Sequence, residues 1–393
     1  MSIRRLPPPD FLTPKSKFED ALELDPNNHD ASLGLALCEI GLLSQDATLA
    51  AAIGGIITVV PFGKAVPGAS APGLLRGLGD IEDQDSDLLT PGGWLTWMQG
   101  RMGKIMQSDP MLDLEPLQSA IETIILPVVD TVILLLNAVE SDVTWTLVLT
   151  PQMQGFQNLD GQLEIDVTDI YLVDGAMQTL KAMLNFFVSY NLNIPDLASE
   201  TEVVAAFNQT DGTFLSLRTN GATHMGNTRL ALMAAIAKMN QFSTSLEAEI
   251  DDQTDDLIKL GDDGPSEEQL AEIEAGLVDL ILALNGDRVI TEDFDEDGVD
   301  DVLTVNLSSI FTSPVQNLKH LMPPYSWESE GQVFLWNGYL ARDLSQWVFP
   351  DPTMGGIFPD FTTDAELKAF FHIPTDTWVS PGPFFFGGEV PGR

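Results

Sequence analysis

Positive charge is scarce in this chain, and so are cysteine and histidine. Eighteen lysines and arginines face 59 aspartates and glutamates, a formal net charge of −41. Such a field repels DNA, RNA and anionic lipid head groups, which argues against nucleic-acid binding. It suits a salty medium, a medium rich in divalent cations, or a basic partner, because screening or compensation reduces the self-repulsion. The single cysteine, Cys38, excludes an intrachain disulfide. It follows Ala36-Leu37 in an apolar run and reads as a small core side chain, with no histidine or basic cluster nearby in sequence to stabilise a thiolate. The four histidines (His29, His224, His320 and His372) match no zinc-ligand spacing. No Gly-x-Ser-x-Gly elbow or His-Glu-x-x-His helix is present, and the Gly-Gly pairs at 54–55, 92–93 and 355–356 lack a phosphate-loop context.

Long uninterrupted hydrophobic runs are also missing. The most apolar stretches, Ala47 to Phe62 and Ile124 to Val139, are broken by Gly54-Gly55 and Pro61 in one and by Pro127 and Asp130 in the other. Buried helices are expected there, not membrane spans. Met1 to Asp10 starts basic but has no hydrophobic centre, so it does not read as a secretion signal; removal of an earlier leader, or of a lipid anchor with it, stays open.

What is present is helical periodicity. The fold class expected is mainly α: an irregular helical bundle or array with a small β-hairpin and a loop-rich, aromatic C-terminal region. Residues 1–62 form a helical N-terminal segment, and 63–92 a Gly/Pro-rich acidic loop. Residues 93–284 form a helical body, and 285–393 a cover holding an acidic turn and many aromatics. Apolar positions from Met111 to Ala138 predict a helix that Pro127 kinks or splits. Further helices are expected from Asp169 to Tyr190 and within 222–249, the latter begun with help from Asn227 and Thr228. Another starts at Ser266, with Gln269 reaching back to the cap, and ends at Asn285-Gly286. Alternation over Val143–Leu149 and Gly161–Val167 predicts a hairpin, and Val302–Leu307 a short strand. Trp94 and Trp97 are expected to pack against the core, with an aromatic ligand platform as the alternative. The C-terminal aromatics are expected to fill grooves of the body, with a partner interface as the alternative.

Phe18 to Leu24, a stop at Asp25-Pro26, and a new start at Asn28 or Asp30 describe two helices in close succession. With its Ala-Leu-x-Leu-Asp-Pro-Asn-Asn junction and Ala31, the stretch 18–45 resembles the boundary between two tetratricopeptide repeats (TPR). That resemblance implies a TPR-like scaffold of stacked helix pairs and a role in binding other proteins. It covers about 30 residues, and no second copy appears at the spacing such arrays need.

Acidity peaks between Glu247 and Asp301, where 21 of 55 residues are aspartate or glutamate. This run ends in Asp293-Phe-Asp295-Glu-Asp297-Gly298-Val299-Asp300-Asp301. Carboxylates at alternate positions around a glycine turn converge on hard cations, Ca²⁺ above all. The stretch 293–304 resembles an EF-hand-like calcium loop, which implies Asp293, Asp295, Asp297, the Val299 carbonyl and Asp301 as ligands. The last position of that pattern is Thr304 where a bidentate glutamate is the rule, so a ligand from elsewhere in the fold would have to complete the shell.

These readings lead to a non-enzymatic, Ca²⁺-stabilised extracellular or cell-envelope protein that acts in protein binding or self-assembly as a homo-oligomer or filament, without nucleic acid. The alternative location is the cytoplasm of a high-salt organism. Two other functions stay open. One is a hydrolase whose Asp130, Asp166, Asp169 or His224 meet in a helical groove; Asp166, Asp169 and Asp174 near a strand-to-helix junction are carboxylates that could do acid-base work, with helix capping as their simpler account. The other is a solute-binding surface lipoprotein using Trp94, Trp97 and C-terminal aromatics.

Overall fold

The computed structural model describes residues 10–49, 114–150, 163–193, 212–248, 267–292, 298–321 and 349–370, with positions 52, 205–206 and 209 besides. Expectations for the loop at 63–92, Trp94, Trp97 and the aromatics between 325 and 347 and beyond 370 lie outside the described residues.

Helices α1 (Leu12–Leu24) and α2 (His29–Leu43) form the N-terminal pair. Asn28 caps α2, its side chain accepting from the Ala31 amide at 2.9 Å. That satisfies one of the amide groups that every helix start leaves without an intrahelical partner. Two glycines of α2 admit aromatic rings: a Cβ at Gly34 would meet the Phe18 ring at 2.3 Å, and one at Gly41 would meet Phe11 at 2.7 Å. The helix pair is present; its arrangement as a repeat array is not shown. Cys38 is buried, as expected, and burial together with the Glu39 charge pushes its thiol pKa up.

The long apolar segment after Leu114 is continuous but changes pitch. Helix α3 (Glu115–Ala120) passes into a π-turn (Ile121–Ile125) and then α4 (Leu126–Glu140). Pro127 lies in the first turn of α4, where its missing N–H costs least. The ring cannot donate into the preceding turn, and the helix widens there. By length and composition this run could cross a membrane. Its outward positions, however, include Ser119, Thr123, Asp130, Thr131 and Asn137, while Val129, Val132, Leu136 and Val139 are buried. That two-sided pattern is what a core helix of a folded body needs.

Strands β1 (Thr146–Leu149) and β2 (Leu163–Asp166) pair antiparallel, Thr146 opposite Asp166, as the alternation predicted. Asp166 both ends β2 and caps α5 (Val167–Ser189): its carboxylate accepts from the Thr168 and Asp169 amides, and Asp169 accepts in return from the Asp166 amide. Helix α5 lies along α6 (Gly221–Ala248), and α4 packs on α5 and α2. Asn227 and Thr228 do not begin α6: the helix starts at Gly221, nearly two turns earlier, and Thr228 donates its hydroxyl back to the His224 carbonyl. Leu33 and Ala36 of α2 meet Val132, Leu136 and Val139 of α4, Trp145 and Ile170 in one core cluster. The Trp145 indole N–H donates to Asp30 at 2.9 Å and ties the first helix pair to the body.

Helix α7 (Glu267–Asn285) ends where Asn285-Gly286 predicted. A strand not expected from the sequence follows: β3 (Arg288–Glu292) pairs antiparallel with β4 (Asp301–Val305), Arg288 opposite Val305 and Glu292 opposite Asp301. Helix α8 (Ser308–Thr312) brings Phe311 into a second core with Tyr190, Met225, Ile236 and Leu284. The described segment 307–318 is therefore packed into the helical body. The loop from Asp351 to Asp360 is held by its own polar groups: Asp351 accepts from the amides of Thr353 and Gly355. It leads to α9 (Asp364–Phe370), where Phe358, Phe361 and Phe370 form a row of tilted rings 5.4–5.9 Å apart. Phe349 and Phe361 are buried.

Two glycines give opposite predictions. A Cβ at Gly221 would lie 2.3 Å from the Ser189 carbonyl oxygen, a backbone atom that has little room to yield. Gly221→Ala is expected to destabilise by about 1–3 kcal/mol. At Gly276, in exposed α7, nothing lies within 4 Å. Gly276→Ala is expected to stabilise by about 0.5–1 kcal/mol through helix propensity. Urea unfolding of both variants checks the pair.

Candidate functional site

Three helices converge on one lysine. Lys238 leaves the middle of α6 and reaches Glu140, the last residue of α4, and Asp174, about two turns into α5. Its ammonium makes a short ion pair with Glu140 Oε2, lies 3.0 Å from Asp174 Oδ2, and donates to Asn137 Oδ1 at 3.0 Å. The Tyr171 ring lies 5.8 Å from the same nitrogen. Gln178, four residues beyond Asp174, donates to its other oxygen at 3.3 Å. The side chains of Asp174, Glu140 and Lys238 are 0%, 6% and 14% exposed, so water contributes little to their charge balance.

One ammonium is thus set against two carboxyl groups in the packed interior. Burial, opposed by Lys238 and reinforced by the Asp174 charge, pushes the Glu140 pKa up to about 7. Burial works to lower the Lys238 pKa, but its hydrogen bonds to Glu140 and Asp174 outweigh this and raise it. A charged lysine with one ionised carboxylate is neutral, and ionising the second acid adds a charge that nothing in the cluster compensates. The cluster is suited to holding and releasing a proton.

A second polar network fastens the other end of the same helices. The π-turn presents Glu122 to Arg218, whose two terminal nitrogens contact its two oxygens at 3.0 and 3.3 Å; the Arg218 guanidinium also reaches Glu115 at 3.1 Å. His224 stands between Glu122 Oε1 at 3.1 Å and Asn185 Oδ1 at 2.8 Å. Gln118 donates to the carbonyls of Phe187 and Tyr190, which end α5. These contacts are mostly half-buried and structural in form: a forked arginine–carboxylate pair with side-chain caps at a helix end.

The residues expected from the sequence fall elsewhere. Asp293, Asp295 and Asp297 lie outside the described residues. Val299 is exposed, and Asp301 opens β4. Gly298 adopts φ +87°, the left-handed region that a sharp turn at this position requires of glycine. Among the described residues no group of three His, Cys, Asp or Glu is arranged to hold a metal ion. Asp130, Asp166, Asp169 and His224 are engaged at separate places. Asp130 pairs with Lys181 at 2.7 Å, Asp166 and Asp169 form the capping box of α5, and His224 belongs to the Glu122 network. Sequence reasoning named Asp174 among the acid-base candidates but preferred helix capping for it, and it missed Glu140 and Lys238; Asp174 lies inside α5 against Lys238 and caps nothing. The only local signal of the cluster is an acid on an otherwise apolar helix face, at Asp174 and Glu140, in a chain with few lysines to answer it.

Lys238→Met would leave two carboxyl groups buried without a counter-charge. A loss of about 3–5 kcal/mol in unfolding free energy is expected, against less than about 1 kcal/mol for a neutral substitution at the exposed Lys17–Asp20 pair. Urea denaturation at constant ionic strength reads both.

Comparison with protein-family models, with curated proteins and with solved structures found no match to this chain.

Proposed function

We propose that the chain is a non-enzymatic extracellular or cell-envelope protein that binds a protein partner or its own copies and is braced by Ca²⁺ at the connection between β3 and β4. The observation that carries this reading is the register of that hairpin. Glu292 stands opposite Asp301, so the eight residues 293–300 between them, five of them acidic, form the link between two paired strands. Acidic residues at directly opposite positions, joined by an acidic turn, disfavour the pairing unless a cation compensates them. Gly298 has the backbone conformation that the sixth position of such a loop needs.

Contacts around the hairpin support a bracing role. Arg288 binds Asp279 of α7 at 2.7 Å, Asn306 donates to Asp287 at 2.6 Å, and the Thr304 amide donates to Asp360 at 3.2 Å. An ion at the turn would stiffen a unit that links α7 to the C-terminal loop. Val289 and Val302 are 50% and 64% exposed on a face shared with Thr291 and Thr304, an apolar β-surface suited to a partner. The cytoplasm of a high-salt organism is the alternative location, because strong screening relieves the same acidic surface.

Calorimetric titration of Ca²⁺ into the full chain, repeated on Asp295→Ala, tests the ion. Binding that weakens at least tenfold in the variant is expected, as is a fall in thermal midpoint on chelation in dilute buffer; at Ca²⁺ about 100-fold above Kd the ion adds about 2.7 kcal/mol. No binding, or equal binding by the variant, removes calcium from the reading. Light scattering with and without Ca²⁺, and on Val289→Lys, reads assembly. A monomer of unchanged mass under every condition removes self-association and leaves a different partner protein as the binding target.

A further inference from the structure

We infer that Glu140 and Asp174 form a proton-binding site: their carboxyl groups share the single ammonium of Lys238 and hold one proton between them while α4, α5 and α6 are packed. The geometry carries this. Glu140 Oε1 and Asp174 Oδ2 are buried without a hydrogen-bond partner, although the second lies in ionic contact with Lys238. Both carboxyl groups reach the same ammonium, Glu140 in a short ion pair and Asp174 at 3.0 Å. Two ionised carboxylates around one ammonium repel each other, whereas one proton leaves a single negative charge for Lys238 to balance.

The surroundings leave the proton as the missing cation. From α6 comes Lys238. From α5 come Tyr171, Asp174 and Gln178, with Asp166 at the helix start acting on Tyr171. From α4 come Asn137 and Glu140. Helix α7 reaches this neighbourhood through Leu270, in the apolar cluster that includes Tyr171, Phe242 and Leu246. Lys238 is the one cation among these groups, so its charge balances one acid and the other is neutral when protonated.

The sign of the linkage is the reverse of the usual ion-paired carboxylate. Burial pushes the Glu140 pKa up to about 7 in the folded chain, against an ordinary glutamate value of 4.5. Between those limits the folded state keeps a proton that the unfolded state has lost. The stabilisation is complete below about 4.5 and is lost as pH rises through about 7. Mild acidification therefore tightens the three-helix junction, and opening the junction at neutral pH releases a proton.

Urea unfolding of the full chain from pH 5 to pH 8 at fixed ionic strength, with Glu140→Gln in parallel, tests this. Across that window the unfolding equilibrium constant of the native chain is expected to rise ~10–100-fold more than that of the variant. The variant cancels the general relief of self-repulsion that acid brings to every carboxylate. Parallel pH dependences would overturn the proposal. Carbon-13 NMR titration of labelled Asp and Glu carboxyl groups in the native chain gives a readout that does not depend on the variant folding. One carboxyl titrating near neutrality, and shifting toward the ordinary range in Asp174→Asn, supports the shared proton; all carboxyl groups ionised by pH 5 overturns it.

Discussion

Compensation of negative charge with very few cations is the constraint on which this structure depends. Eighteen basic side chains serve 59 acids, and those at the helix junctions are shared. Lys238 stands between Glu140 and Asp174, Arg218 between Glu115 and Glu122, and Lys15 between Glu19 and Glu39. Each cation joins acids that lie apart in the chain, so each works as a cross-link as much as a counter-ion. Lys15 ties α1 to α2, Arg218 ties the π-turn to the start of α6, and Lys238 ties α4 to α5 and α6. The energetic weight differs with burial. Lys15 is partly solvated and contributes little, whereas Lys238 would be costly to remove, because its absence leaves desolvated carboxyl groups behind.

Close backbone approach complements these charges. The start of α6 passes so near the end of α5 that Gly221 has no room for a side chain, and Gly175 of α5 faces Lys238, Met239 and Ala235 of α6. The resulting α5–α6 pair is the spine against which α4, α7 and α8 pack. The π-turn belongs to the same arrangement. An extra residue before Pro127 shifts the helical phase, so Glu122 meets Arg218 and His224 while Val129, Val132 and Leu136 still face the core. A regular helix with the same sequence would have to turn one of those sets away.

Helices with strong periodicity were legible from the chain, as were the Asn28 cap, the Asp166–Asp169 capping box as the simpler account of those acids, and the pairing of β1 with β2. The range 222–249 came close to α6, but Asn227 and Thr228, good cap residues by type, lie inside the helix nearly two turns past its start at Gly221. Strand β3 was missed because Arg288-Val-Ile-Thr-Glu292 is short and lies inside an acidic run, where β-branched residues give a weak signal. The acidic stretch 293–304 stood out for its resemblance to a calcium loop, while the strand pairing on either side of 293–300 became visible through the β3–β4 register alone.

Composition and periodicity by themselves determined that this protein is mainly helical, strongly acidic, free of disulfides, and built around apolar helix faces. These are properties of each segment and its neighbours, and local patterns are enough to read them. Which acids are buried, which share a cation and which hold a proton was decided by tertiary structure alone. Asp174 and Glu140 are 34 positions apart and Lys238 another 64 beyond the first of them. Their chemistry exists because helix packing removes water from all three at one point, and a local sequence pattern carries no information about desolvation.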